Sequence, residues 1–139
     1  MRRRAYLAGA TVSLATSLTG CANLILGSSR LNGDISMGSQ SFNPQKFETK
    51  IGETVVWANT DMRRHSVTAY ENAIPKNAEY FASGGFESEQ AARDAWRKGH
   101  GTVDPKTTFK RTFEIPGTYS YFCVPHEMEG MTGRIIVKE

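Results

Sequence analysis

The 139-residue sequence has no long hydrophobic run and no excess of charge outside its first residues. Its longest apolar stretch, residues 5–18, is too short and too rich in Gly, Ser and Thr for a good membrane span. Three of the 17 basic residues lie in residues 1–20, which leaves 14 basic against 14 acidic side chains in the rest. This balanced remainder offers no basic surface for nucleic acid, and it lacks the acidity expected of a protein in saturated salt.

The first 20 residues have the three parts of an export signal. A basic start is followed by the modestly apolar stretch and by small residues before a cleavage point. Residues 3–7, RRAYL, are similar to a twin-arginine signal, whose pathway carries folded proteins. We therefore expect residues 1–20 to direct export to the outer face of the cytoplasmic membrane.

Cysteine is scarce, and the position of Cys21 matters for the only other one, Cys123. Cys21 ends the sequence LTGC, which is similar to a lipobox, a signal whose cysteine is lipidated and becomes the new N-terminus. Residues 21–33 then form a lipid-anchored tether; the alternative is an ordinary signal with a chance cysteine. If Cys21 carries lipid, Cys123 has no disulfide partner, and a lone exported thiol is prone to oxidation unless something occupies the sulfur.

Residues 34–139 show the pattern of an all-β, antiparallel sandwich with one short inserted helix. Runs of Val, Thr, Tyr and Phe between Gly and Pro turns predict strands at 35–37, twice within 47–60, at 65–70, and in 107–115, 118–124 and 133–139. Residues 88–98 predict the helix, with Ser88 as its N-cap and Gly99 at its end. Its apolar face of Ala92, Ala95 and Trp96 favours packing over a docking role.

The loop after the 118–124 strand carries a cluster of soft metal ligands. Cys123, His126, Met128 and Met131 lie between two strands, and His65 opens another strand after a turn, where a sandwich can bring it to the same pole. Sulfur ligands favour copper in its lower oxidation state, and imidazole suits both states. A trigonal His₂Cys set with a weak methionine serves neither state perfectly, so little rearrangement accompanies an electron. Zinc more usually takes Cys₂His₂ or an open site with water.

The segment GTYSYFCVPHEMEGMTGRIIV, residues 117–137, resembles the copper-binding C-terminal loop of the plastocyanin family of small blue copper proteins. Residues 52–75 are similar to the family's segment that leads into its first histidine. Residues 78–96 and the lipoprotein signal are more similar to halocyanins, the archaeal membrane-anchored members. The resemblance covers about residues 34–139, and it implies an eight-stranded, cupredoxin-like Greek-key sandwich with one type 1 copper at one pole.

Position by position, the resemblance implies that His65, Cys123 and His126 are the equatorial copper ligands. It implies that Met131 is the axial ligand, because the family's methionine follows a Gly and stands five residues beyond the loop histidine. Met128, only two residues beyond His126, does not match.

Two positions depart from the family. Ser66 stands where an Asn often ties two copper loops together, and its hydroxyl offers a smaller version of that contact. Phe122 stands where plastocyanins place a Tyr as a remote electron route. The expected route is therefore the exposed edge of His126, framed by Pro125, Met128 and Gly130. Beside it, Glu127 and Glu129 are expected to bias the choice of partner.

The implied function is electron transfer by a monomeric, lipid-anchored type 1 copper protein that cycles between Cu(II) and Cu(I). Its partners are membrane-bound or exported redox proteins, reached by outer-sphere transfer through His126. An enzyme such as a copper oxidase or nitrite reductase needs further histidine-rich sites, and the third histidine, His100, is expected in a surface loop. The alternative is a copper delivery or storage protein, but Met37, Met62 and Met128 are too scattered for a Met-rich site.

Overall fold

A computed structural model of the protein describes residues 31–139. The export signal predicted for residues 1–20, the lipidation site Cys21 and most of the 21–33 tether lie outside the described residues. No helix in the described part is long and apolar enough to cross a membrane.

The described residues form two four-stranded sheets, one α-helix and two short 3₁₀ segments. In chain order they are β1 (Ile35–Met37), β2 (Phe42–Asn43), β3 (Lys46–Lys50), β4 (Thr54–Asn59), β5 (Thr68–Ala69), the 3₁₀ segment Glu71–Ala73, α1 (Glu89–Arg97), β6 (Thr108–Thr112), β7 (Gly117–Phe122), the 3₁₀ segment Val124–Glu129 and β8 (Thr132–Lys138). One sheet has the order β2-β1-β4-β6 and the other the order β3-β8-β7-β5. The all-β sandwich with one short inserted helix is therefore confirmed.

The sheets are mixed rather than purely antiparallel as predicted. β1 pairs with β4 in parallel, and β3 pairs with β8 in parallel, while the other ladders are antiparallel. The physical reason is the path of the chain, which leaves the first sheet after β2, adds β3 to the second sheet and returns for β4. Neighbouring strands reached by such a crossover run in the same direction.

The core lies between the sheets and follows the period-two pattern of the strands. In β4, Val55 and Trp57 are buried while Val56 between them is partly exposed. The Trp57 ring meets Tyr121 of the opposite sheet edge to face, with ring centroids 5.5 Å apart. Each large apolar side chain buried in this way contributes about 1.5–3 kcal/mol, so the sequence alternation fixes which faces meet.

The helix and its caps are as predicted. The Ser88 hydroxyl accepts a hydrogen bond from the Ala91 amide at 3.1 Å, and Gly99 has a left-handed φ of 81° just beyond the helix. Ala92 is buried, whereas Ala95 and Trp96 are partly exposed.

The strand predicted from His65 is wrong in its first half, because β5 contains only Thr68 and Ala69. Before β5, two backbone amides bond to side chains and not to a neighbouring strand. The Ser66 amide donates to the Cys123 sulfur, and the Val67 amide donates to the Ser83 hydroxyl. His65 keeps only an isolated bridge to Val103. The two-residue strand β2 was not predicted at all, since so short a run carries no periodicity.

The close approach of β8 to β7 gives a test of the core. Gly133 lies directly opposite Tyr121, and a Cβ atom at Gly133 would stand 2.5 Å from the buried tyrosine oxygen. We expect Gly133→Ala to lower the free energy of unfolding by about 1–3 kcal/mol through overpacking, as measured by chemical denaturation. Gly38→Ala is the matched control, because its Cβ would meet nothing closer than 3.5 Å. Equal effects of the two substitutions would contradict this account of the core.

Candidate metal centre

The structure brings together His65, Cys123 and His126 at one pole of the sandwich. The cysteine sulfur and one nitrogen of each imidazole all lie within 4.8 Å of one another. The sulfur is 3.5 Å from Nδ1 of each histidine. His65 comes from the segment before β5, and the other two follow β7, so residues 58 positions apart in sequence meet as the sequence predicts.

The two methionines of the loop have opposite environments. Met131 is fully buried and starts beside the cluster, because its backbone amide donates to the His126 carbonyl and its carbonyl accepts from the Cys123 amide, at 3.1 and 3.0 Å. Met128 is 95% exposed. Burial therefore favours Met131 over Met128 as the candidate ligand, as does the spacing of the two methionines from His126. His100 is exposed, and it is not part of the cluster.

Local sequence shapes the loop that carries these residues. Pro125 stands in the first turn of the 3₁₀ segment, where its missing amide hydrogen costs nothing. The segment ends at Gly130, whose φ of 87° is left-handed and whose amide donates to the Glu127 carbonyl at 2.9 Å. The reversal at Gly130 returns the chain to the cluster at Met131.

Ser66 ties the two ligand-bearing segments together. Its amide donates to the Cys123 sulfur at 3.3 Å, and its hydroxyl accepts from the Val124 amide at 2.8 Å. The same hydroxyl lies 3.0 Å from the Thr68 hydroxyl, so a second side chain holds it. The serine therefore makes the contact that its position predicts.

The charge states of the cluster suit a bound cation. Burial raises the pKa of the Cys123 thiol to about 11, so an uncompensated thiolate is unfavourable there. Burial also lowers the pKa of His65, which keeps that imidazole neutral and able to offer a lone pair. A metal ion stabilises the thiolate that burial disfavours. One thiolate and two imidazoles, with the buried Met131 as the next residue in contact through its backbone, are a set of donors that suits copper.

Asp61 is a contact that sequence reasoning missed. Its carboxylate oxygen Oδ2 lies 3.0 Å from Nε2 of His65, the ring nitrogen that points away from the cysteine sulfur. The sequence TDMRR reads as a polar turn, and the available signal was an acid four residues before a suspected ligand. A hydrogen bond that a metal-binding histidine donates to a carboxylate orients the ring and sets its tautomer.

The inserted helix also reaches the metal loop, through a second group that was not predicted. Arg93 of α1 forms two hydrogen bonds to the Glu127 carboxylate, at 2.8 and 3.2 Å, and these hold the pKa of Glu127 below its usual value. The Tyr70 hydroxyl donates to the same carboxylate at 2.6 Å. Tyr70 stacks on the Phe122 ring, and the Arg93 guanidinium lies 4.3 Å from its centre. Glu127 is thus paired within the chain, and Glu129 is the exposed acid of the loop.

Comparisons with known proteins agree with this geometry. Residues 30–138 match the sequence model of the copper binding proteins of the plastocyanin/azurin family. The chain is 29% identical to a chloroplastic plastocyanin of Hordeum vulgare over 138 residues, which cover 96% of this chain and 80% of that one. It is 31% identical to that of Chlamydomonas reinhardtii, covering 99% and 83%. A Sinorhizobium pseudoazurin shares the fold, with a TM-score of 0.53 and 24% identity over 76% of this chain and 72% of that one.

The contact through Ser66 gives a testable prediction. Ser66→Ala removes the acceptor of the Val124 amide, so we expect the free energy of unfolding to fall by about 1–3 kcal/mol, as measured by chemical denaturation. Ser36→Ala is the control, because the one contact of that hydroxyl within the described part of the chain is long and exposed, at 3.4 Å to the Asn43 carbonyl. If Ser66→Ala is no more costly than Ser36→Ala, the two segments are not held together by this hydroxyl.

Proposed function

Since this chain belongs to the plastocyanin/azurin family of copper-binding proteins, we propose that His65, Cys123, His126 and Met131 hold its type 1 copper and that electrons leave through His126. The family relationship makes the protein an electron-transfer copper protein rather than an enzyme. The observation that carries the proposed ligand set is the convergence of one sulfur and two imidazole nitrogens within 4.8 Å.

Met131 completes the proposed set. It is buried beside the cluster, while Met128 faces solvent. A thioether is a weak, soft ligand, and a long axial contact to such a ligand is typical of blue copper sites. Met128 is left for the rim of the site.

The ligand frame supports fast electron exchange. Copper bound there supplies the one-electron couple Cu(II)/Cu(I). The hydrogen bonds that position Cys123 come from the Ser66 amide and from the pairing of its own backbone with Met131, and neither depends on the metal. Because the protein alone makes those bonds, we expect the residues to keep their places when an electron moves.

Exposure supports His126 as the exit. Of the four proposed ligands, His65, Cys123 and Met131 are fully buried, and His126 alone is partly exposed. Pro125 and Gly130 flank it, and exposed Met128 adds an apolar rim suited to weak, brief docking. Phe122, the residue before the cysteine, is fully buried beneath Tyr70 and Arg93. The side of the site next to Phe122 is therefore covered.

The location of the protein completes the proposal. We propose that residues 1–20 direct export by the twin-arginine route and that lipid on Cys21 anchors the copper domain at the outer face of the cytoplasmic membrane. The similarity of residues 78–96 to halocyanins supports this arrangement. The partners are then membrane-bound or exported redox proteins.

The visible spectrum tests the copper proposal. We expect the oxidised, copper-loaded protein to show an intense thiolate-to-copper band that bleaches reversibly on reduction, with one copper per chain. Cys123→Ser should abolish the band, because it removes the thiolate. A colourless oxidised protein with one tightly bound zinc would contradict the proposal. Loss of copper to a chelator during redox cycles would favour delivery or storage instead.

Paired methionine substitutions test the axial assignment. Met131→Leu should keep the colour and shift the reduction potential, because a side chain of similar volume replaces the weak ligand. Met128→Leu is the matched control and should change the potential little. A larger shift in Met128→Leu than in Met131→Leu, measured by spectroelectrochemistry, would show that the assignment is reversed.

Substitution of Cys21 tests the anchor. Cys21→Ala should move the protein from the membrane fraction to the soluble exported fraction, because no residue remains to accept the lipid. Cys123→Ser is the control for loss of a cysteine as such and should stay with the membrane. Retention of Cys21→Ala in the membrane fraction after a salt wash would contradict lipid anchoring.

A further inference from the structure

The two ring nitrogens of His65 have different partners. Nδ1 lies 3.5 Å from the Cys123 sulfur, whereas Nε2 lies 3.0 Å from Oδ2 of Asp61. A carboxylate can only accept a hydrogen bond, so Nε2 must carry the ring proton. The Nδ1 lone pair then faces the site where the metal binds.

Asp61 is itself held in place by the turn between β4 and β5. Its amide donates to the side-chain oxygen of Asn59 at 2.9 Å. Asn59 is fully buried, and its side-chain nitrogen donates to the carbonyls of Arg63 and Val103, both at 2.8 Å. The amide side chain of Asn59 therefore folds the turn so that the carboxylate points at His65.

The negative charge of the Asp61 carboxylate is weakly screened on the side that faces His65. Only 18% of the Asp61 side chain is exposed, so water screens it weakly on the side of the buried histidine. Its one arginine or lysine contact among residues 31–139 is Arg63, whose Nε lies 3.3 Å from the same oxygen. The Arg63 side chain is 53% exposed, so solvent weakens the compensation that it offers.

We propose that Asp61 is a positioning residue that fixes the tautomer and orientation of His65 and lowers the reduction potential of the copper site. The inference rests on the proposed function, because it takes His65 as a ligand. Oxidised copper carries one more positive charge than reduced copper, so a negative charge one hydrogen bond beyond a ligand favours the oxidised state. The same hydrogen bond makes the imidazole a stronger electron-pair donor to the metal.

Asp61→Asn separates the effect of the negative charge from the effect of the hydrogen bond. The substitution keeps an oxygen that can accept from Nε2 and removes the negative charge. We expect the equilibrium ratio of reduced to oxidised protein to rise about tenfold, which is the low end of the effects seen when a hydrogen-bond partner of a metal ligand is replaced. This change corresponds to a rise of about 59 mV in a one-electron reduction potential. The measurement is spectroelectrochemistry of the copper-loaded protein.

Asp104→Asn is the matched control. Asp104 is another carboxylate paired with an arginine, at 3.6 Å from Arg64, and it follows Val103, whose backbone pairs with His65. It contacts no proposed ligand, so we expect a much smaller shift than in Asp61→Asn. Equal shifts in the two variants would overturn the proposal, because a surface charge without the hydrogen bond would then have the same effect.

A second measurement does not use copper. In the metal-free protein, nitrogen-15 NMR should show His65 with its proton on Nε2, and Asp61→Ala should give a mixture of tautomers while the fold is kept. A single Nε2-protonated form in Asp61→Ala would overturn the positioning role. An unchanged potential in Asp61→Asn would overturn the electrostatic role. A wild-type protein without the thiolate-to-copper band would instead refute the proposed function.

Discussion

The site depends on one pair of hydrogen bonds, which join the segment before β5 to the residues that follow β7. The Ser66 amide reaches the Cys123 sulfur, and the Ser66 hydroxyl holds the Val124 amide. Without this junction, the segments of His65 and Cys123 would be joined mainly by the two-residue ladder of β5 and β7. With it, a sulfur and two imidazoles stay close enough to share one ion. The fold supplies the two loops, and the serine fixes their spacing.

Two groups of charged residues contact the segments that this junction joins. Asp61 lies behind His65, where it fixes the ring and adds a negative charge. Arg93 and Glu127 connect the inserted helix to the metal loop and cover Phe122. The covered side closes one approach to the cysteine, and the partly exposed His126 leaves another open. If electrons leave through His126 as proposed, the inserted helix contributes to the choice of electron route as well as to packing.

Local patterns in the sequence predict the parts of the fold that local physics determines. Runs of β-forming residues between turns predicted β3 and β4, and the Ser88 cap and Gly99 predicted α1, because these signals act within a few residues. The spacing of Cys123 and His126 predicted their meeting, since a short loop brings both to one point. The first half of the strand at His65 was wrong because distant side chains, from Cys123 and Ser83, take its backbone donors. The Arg93–Glu127 pair escaped prediction because its members lie 34 residues apart in sequence. Asp61 was missed although it lies only four residues before His65, because spacing alone does not identify the partner of a charged residue in a turn.

The proposed function depends on four protein ligands that stay in place when an electron arrives. The most direct test is X-ray absorption at the copper edge, measured on the same protein in its oxidised and reduced states. We expect one short sulfur contact and two nitrogen contacts in both states, with copper–ligand distances that hardly change. Loss of a nitrogen ligand on reduction, or coordination of the oxidised ion by oxygen in place of the Cys123 sulfur, would contradict this expectation.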